Sequence, residues 1–127
     1  MSRTVIHSPQ APAAVGPYSQ AIKIDNLVYT AGQIGIDPST GKMQEGLEAQ
    51  AQQVMANLKA ILEAAGTSFE KVVKTTIFIT DMANFGVIND IYGAYFGEEP
   101  PARSTVAVSQ LPLGALVEIE VIALVEI

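Results

Sequence analysis

The chain has 127 residues, enough for one domain, spanning 1–127, to bury a core without metal or disulfide staples. Hydrophobic residues make up 49% and charged residues only 16%, so part of the apolar surface is expected to meet another copy of the chain. The net charge of −6 and seven scattered Lys and Arg argue against a nucleic-acid backbone as partner, and the absence of cysteine excludes thiol catalysis, disulfides and thiolate metal sites.

The opening MSRTVIHSPQAP has no apolar signal core, and no run approaches the roughly 18 apolar residues of a membrane span, so a cytoplasmic protein is expected. His7 is the single histidine and lies near the terminus, a poor candidate for a Ser-His-Asp triad. Residues 8–20, SPQAPAAVGPYSQ, carry three prolines and read as an ordered loop. Within it Tyr18 follows Gly16-Pro17; its phenol suits either a hydrogen bond in a site or a core ring with a wet tip. AIKI and LVYTA flank Asp25-Asn26 and read as a hairpin. The second strand runs into Ala31-Gly32-Gln33, where glycine permits either a bend or the close approach of a ligand.

DPSTGK, 37–42, is turn chemistry. Asp37, Ser39 and Glu48 echo a calcium loop, but Gly41 and Lys42 occupy its fifth and sixth positions, so no metal is expected. Leu47 to Ala65 repeats apolar residues at three- and four-residue steps and predicts a helix ended by Gly66. VVKTTIFIT, 72–80, predicts a strand with Val73, Thr75, Ile77 and Ile79 on one face. A second helix is predicted from about Asn84 to Phe96, with Gly93 weakening it. STVAV then predicts a strand, entered through Pro100-Pro101-Ala102-Arg103.

The last strand, LVEIEVIALVEI, places Glu118 and Glu120 on one face and Ile119, Val121, Ala123 and Val125 on the other, which must be core. The glutamate face continues as Ile122 and Leu124, a mixture that suits a surface covered by another chain; a solvated strand edge is the alternative. Arg103 is the only arginine in the body of the chain. Its planar fork suits an ion pair with a glutamate of the protein or a clamp on a carboxylate ligand. Together the elements predict an α+β fold, one mixed sheet with two helices on one face.

GPYSQA, TAGQI, KTTIFITDM, PARSTV and VEIEVIA, in this order from about Pro12 onward, make the chain similar to the Rid/YjgF family, and within it to the RidA-type reactive-intermediate deaminases. The resemblance implies a chorismate-mutase-like fold, a homotrimer, and sites in clefts between subunits. It implies hydrolysis of 2-imino acids and their enamines, such as 2-aminoacrylate and 2-iminobutanoate, to 2-keto acids and ammonia, without metal or organic cofactor. By the same resemblance Arg103 binds the substrate carboxylate and Glu118 positions or activates water. Tyr18, Gly32, Asn89 and Thr105 match substrate-binding positions. Ala31 and Thr105 depart from the serine and cysteine that many members carry there, which leaves no thiol at that position. A small-carboxylate-binding regulatory or chaperone-like trimer is the alternative.

Overall fold

The computed structural model describes residues 2–126. The chain runs β1 (Arg3–Ile6), β2 (Ala21–Ile24), β3 (Leu27–Thr30), β4 (Ile36–Asp37), β5 (Lys42–Met43), α1 (Leu47–Ala64), β6 (Val72–Ile79), α2 (Phe85–Gly93), β7 (Ala102–Ala107) and β8 (Val117–Leu124). Six strands form one sheet in the order β1-β2-β3-β8-β6-β7, and β4 and β5 form a separate small hairpin. Every pairing in the large sheet is antiparallel except β6 with β7, which α2 connects. The expected α+β architecture, a mixed sheet with two helices on one face, is what the chain adopts.

Local chemistry accounts for the elements. Asp25 takes φ 52°, a left-handed turn value that a short Asp tolerates, and closes the β2–β3 hairpin. Gly66 takes φ 84°, and the pair Gly66 N–H to Glu63 O (3.0 Å) and Thr67 N–H to Leu62 O (2.9 Å) terminates α1 in a Schellman motif. The predicted stripe of α1 is buried as Val54, Met55, Leu58, Ile61 and Leu62. It meets Val117, Ile119, Val121 and Ala123 of β8 and Ile77 and Ile79 of β6, with Ile88 and Tyr92 of α2 completing the core. Each fully buried aliphatic side chain contributes about 1.5–3 kcal/mol.

Three expectations are corrected. Strict alternation puts Val73 on one face with Thr75, Ile77 and Ile79; instead a bulge between Val72 and Lys74 turns Val72 inward and leaves Val73 41% exposed. The second helix is shorter than 84–96: Met82–Asn84 form a 3-10 turn capped by the Asp81 carboxylate, and α2 stops at Gly93. Beyond it Tyr95 and Phe96 fold back onto Phe69, with ring centroids 5.2 and 5.5 Å away. An unpredicted edge strand, β1, pairs with β2; its side chains are mostly exposed and carry no apolar alternation.

On the face of the sheet opposite the helices no described helix packs, and apart from the loops around Glu118 much of it is exposed. Val5, Tyr29, Val106 and Leu124 are exposed there, and Glu118 and Glu120 lie among them. No described helix is long and apolar enough to cross a membrane.

Candidate active site

Glu118 sits at the edge of a cleft of about 430 Å³ lined by Pro12, Val15, Tyr18, Gly32, Ile34 and Leu113 among others. Its place is set by backbone. After β3 the chain leaves the ladder: Thr30 Oγ1 accepts the Val121 N–H at 3.0 Å, and Gln33 and Ile119 then exchange N–H···O bonds of 2.9 and 3.1 Å. This lays Gly32 directly against the Glu118 side chain. A Cβ added at Gly32 would lie 2.7 Å from Glu118 Cδ and 2.9 Å from Cγ, so no other residue fits without moving the carboxylate. Burial raises the Glu118 carboxyl above its ordinary range, and the charge of Glu120 raises it further.

Two buried polar side chains brace the cleft. Gln20 accepts the Ser8 N–H at 2.6 Å and donates to Ser8 O and Pro12 O at 3.1 and 2.8 Å, which fixes the proline-rich wall that ends in Tyr18. Asn57 of α1 donates to Ile34 O and Ile36 O at 3.2 and 3.0 Å and fixes the opposite wall. Tyr18 is half-exposed at the mouth, and its hydroxyl accepts the Val15 N–H at 3.3 Å. Leu113 stands at the rim with φ 57° and is 71% exposed.

Arg103 lies elsewhere. Its register partner on β6 is Thr75, and that of Thr105 is Ile77; both partners are buried on the helix face. Glu118 pairs with Phe78 on the other face. Side chains of directly paired residues share a face, so one chain puts Arg103 and Thr105 on one side of the sheet and Glu118 on the other. Arg103 shares a cleft of about 350 Å³ with Asn89, Tyr92, Pro100 and Pro101.

The ion pair found among the described residues is Lys71–Glu126; Arg103 has none, so the reading of it as half of an internal ion pair does not hold within this chain. Its guanidinium instead lies over the rings of Phe85 and Tyr92, 5.4 and 5.1 Å from their centroids. Nearby on β7 and α2, Thr105 Oγ1 and Asn89 Oδ1 are buried without a hydrogen-bond partner. Such atoms cost free energy unless something completes them. A free guanidinium, a hydroxyl and an amide oxygen together fit a small anion that also carries an N–H group.

The chain thus brings Tyr18, Gly32 and Glu118 into one cleft and Arg103 and Asn89 into another, with Thr105 on the same strand and face as Arg103. Sequence reading missed Gln20, Asn57 and Tyr92. Asn57 had a signal, since it stands three residues after Val54 and four before Ile61, a polar residue inside a buried stripe. Among the described residues no group of three or more His, Asp or Glu is placed to hold a metal; Asp37 accepts the N–H and hydroxyl of Ser39 at 2.9 and 2.7 Å, bonds that lower its carboxyl and close a turn.

The sequence matches known proteins along nearly its whole length. The mouse protein named 2-iminobutanoate/2-iminopropanoate deaminase is 49% identical over 122 residues, covering 95% of this chain and 90% of its own. The crystal structure of RidA from an Antarctic Psychrobacter superposes with a TM-score of 0.94 at 49% identity, covering 96% of this chain and 99% of that one. The E. coli TdcF structure with bound serine superposes at 0.93 with 40% identity, covering 97% and 99%. The family model described as Endoribonuclease L-PSP matches residues 8–125, and with it the chain belongs to the Rid/YjgF family.

Proposed function

We propose that the protein is a hydrolase of reactive 2-imino acids and enamines, working as a homotrimer with sites between subunits. Arg103, Asn89 and Thr105 of one copy would face Tyr18, Gly32 and Glu118 of the next. The observation that carries this reading is the Arg103 guanidinium, without an ion pair among the described residues, in a cleft shared with Asn89 and on the same strand face as Thr105, whose side-chain oxygens are both buried and unpartnered. The deaminase name of the mouse relative agrees with it, and the serine bound to TdcF, like a 2-imino acid, carries its carboxylate on the carbon that bears nitrogen. The apolar sheet face left open by the helices is the surface that assembly would cover.

In this mechanism Arg103 and the Thr105 hydroxyl donate to the substrate carboxylate, and Asn89 Oδ1 accepts from its N–H. An enamine gains a proton at Cβ and becomes an iminium, whose C2 is already electrophilic, so the step calls for no metal or organic cofactor. Glu118 takes a proton from water as the new C–O bond forms and the C=N π pair moves to nitrogen. It returns that proton to nitrogen, the C–N bond breaks with its pair leaving on ammonia, and loss of the hydroxyl proton gives the keto acid. The balance is 2-imino acid plus water to 2-keto acid plus ammonia. A carboxyl raised toward the working pH suits a group that both takes and returns a proton.

RNA cleavage, which the family description names, fits poorly with a net charge of −6. The test is to generate 2-aminoacrylate in situ with a dehydratase and to follow keto-acid and ammonia release. Wild type accelerates release and Arg103→Ala does not. Equal rates for the two would overturn the proposal. Arg103-dependent binding of 2-ketobutyrate without turnover would instead indicate a carboxylate-binding regulatory module.

A further inference from the structure

The Arg103 cleft contains a second device that the hydrolysis itself does not use. Tyr92 projects from α2 into the step between β6 and β7 and is only 5% exposed. Its hydroxyl meets Thr75 Oγ1 at 2.7 Å, and Thr75 is fully buried. Thr75 is also the register partner of Arg103. One side chain therefore ties its hydroxyl to the strand beside Arg103 and presents its ring to the Arg103 guanidinium at 5.1 Å.

Arg103 has no ion pair among the described residues to choose its rotamer. An arginine side chain loses considerable rotamer freedom when a ligand fixes it, and that loss weakens binding. A ring anchored at a fixed height removes part of that freedom before the ligand arrives. The anchor is rigid on both sides. Thr75 is β-branched within the sheet. The Tyr92 ring is also packed against Phe96, with centroids 4.7 Å apart.

We infer that Tyr92 is a positioning residue: held by Thr75, it preorganises the Arg103 guanidinium to receive a substrate carboxylate. The inference rests on the reading of Arg103 as the carboxylate anchor. It predicts an effect on substrate capture and not on the chemical step, because the Tyr92 hydroxyl is engaged by Thr75 and its ring faces the Arg103 guanidinium.

The test compares Tyr92→Phe, which keeps the ring and removes the hydroxyl, with Thr75→Val, which removes the same bond from the other side. Thr75→Ser keeps a hydroxyl and serves as the conservative variant. All are assayed in the assembled protein, with folding checked by circular dichroism. Tyr92→Phe and Thr75→Val are each expected to raise KM for in situ 2-iminobutanoate about 5-fold with kcat nearly unchanged. The Kd for 2-ketobutyrate rises by the same factor, the double variant is no worse than either single one, and Thr75→Ser behaves as wild type. Unchanged KM and Kd in both hydroxyl-deleted variants overturn the inference, as does Thr75→Ser matching Thr75→Val. If Arg103→Ala loses keto-acid affinity while Tyr92→Phe keeps it, the brace alone fails. If Arg103→Ala keeps wild-type affinity, the carboxylate reading fails and the brace falls with it.

Discussion

Backbone places Glu118, and side chains place Arg103. The first lies on a central strand, pressed against a glycine, with its walls tied down by Gln20 and Asn57. The second lies on an edge strand and rests on two aromatic rings, with unpartnered polar atoms nearby. A carboxylate on a fixed floor can manage a proton at a defined point. A guanidinium on an aromatic shelf, with no carboxylate paired to it among the described residues, is free to bind an anion. The two halves should therefore respond differently to substitution.

The largest effects fall on the two charged groups. Glu118→Gln should lower kcat by at least about 100-fold, the usual cost of losing a positioned general base. It should also raise the melting temperature at neutral pH. A carboxyl whose folded pKa lies above its unfolded value favours folding where it is protonated. That contribution is present below the unfolded pKa and lost as pH rises through the folded one, so the charged Glu118 costs stability at neutral pH. For the same reason the acid limb of kcat, measured where the substrate carboxylate neutralises the facing Arg103, should lie above the ordinary glutamate range. A limb at the usual glutamate value, or a destabilised Glu118→Gln, would break this side of the comparison.

Arg103→Ala should lower kcat/KM about 100-fold through loss of charge-assisted hydrogen bonds to the substrate. Its melting temperature should fall only slightly, because no ion pair among the described residues is lost and each cation–π contact is worth about 0.5–1 kcal/mol. A large drop in stability would mean that the arginine serves the fold. Gly32→Ala comes next. The added Cβ displaces the Glu118 carboxylate, and a shift of that kind should cost about 10-fold in kcat. An equal loss in Kd for 2-ketobutyrate would show instead that the two halves are not separable.

Thr105→Val should weaken keto-acid binding only a few-fold, by about 1 kcal/mol, without destabilising the fold, since its hydroxyl has no internal partner. Lys71→Ala is the contrasting cation. Its pair with Glu126 is at the surface, so the change should stay within about 0.5 kcal/mol and leave activity untouched.

Much of the fold was legible because short-range patterns encode it. The stripe of α1 and the alternation of β8 both appear as read, and Asp25 turns where it was expected to. The bulge at Val73 was not legible: period-two reasoning has no means to detect an extra residue whose cause is the pairing with β8. The candidate site could be named residue by residue but not as an arrangement. Periodicity gives which residues of one strand share a face, yet the relative phase of β7 and β8 comes only from their register with β6. That phase separates Arg103 from Glu118 within one chain.

The composite site is therefore the central claim, and subunit mixing tests it most directly. Arg103→Ala and Glu118→Gln are each expected to keep only about 1% of wild-type activity alone. Unfolded together, refolded and reassembled, they should recover about a quarter of wild-type activity, since some clefts then receive an intact arginine from one copy and an intact glutamate from its neighbour. No recovery, with mixed oligomers demonstrably formed, would place both residues in one chain's site and contradict the account.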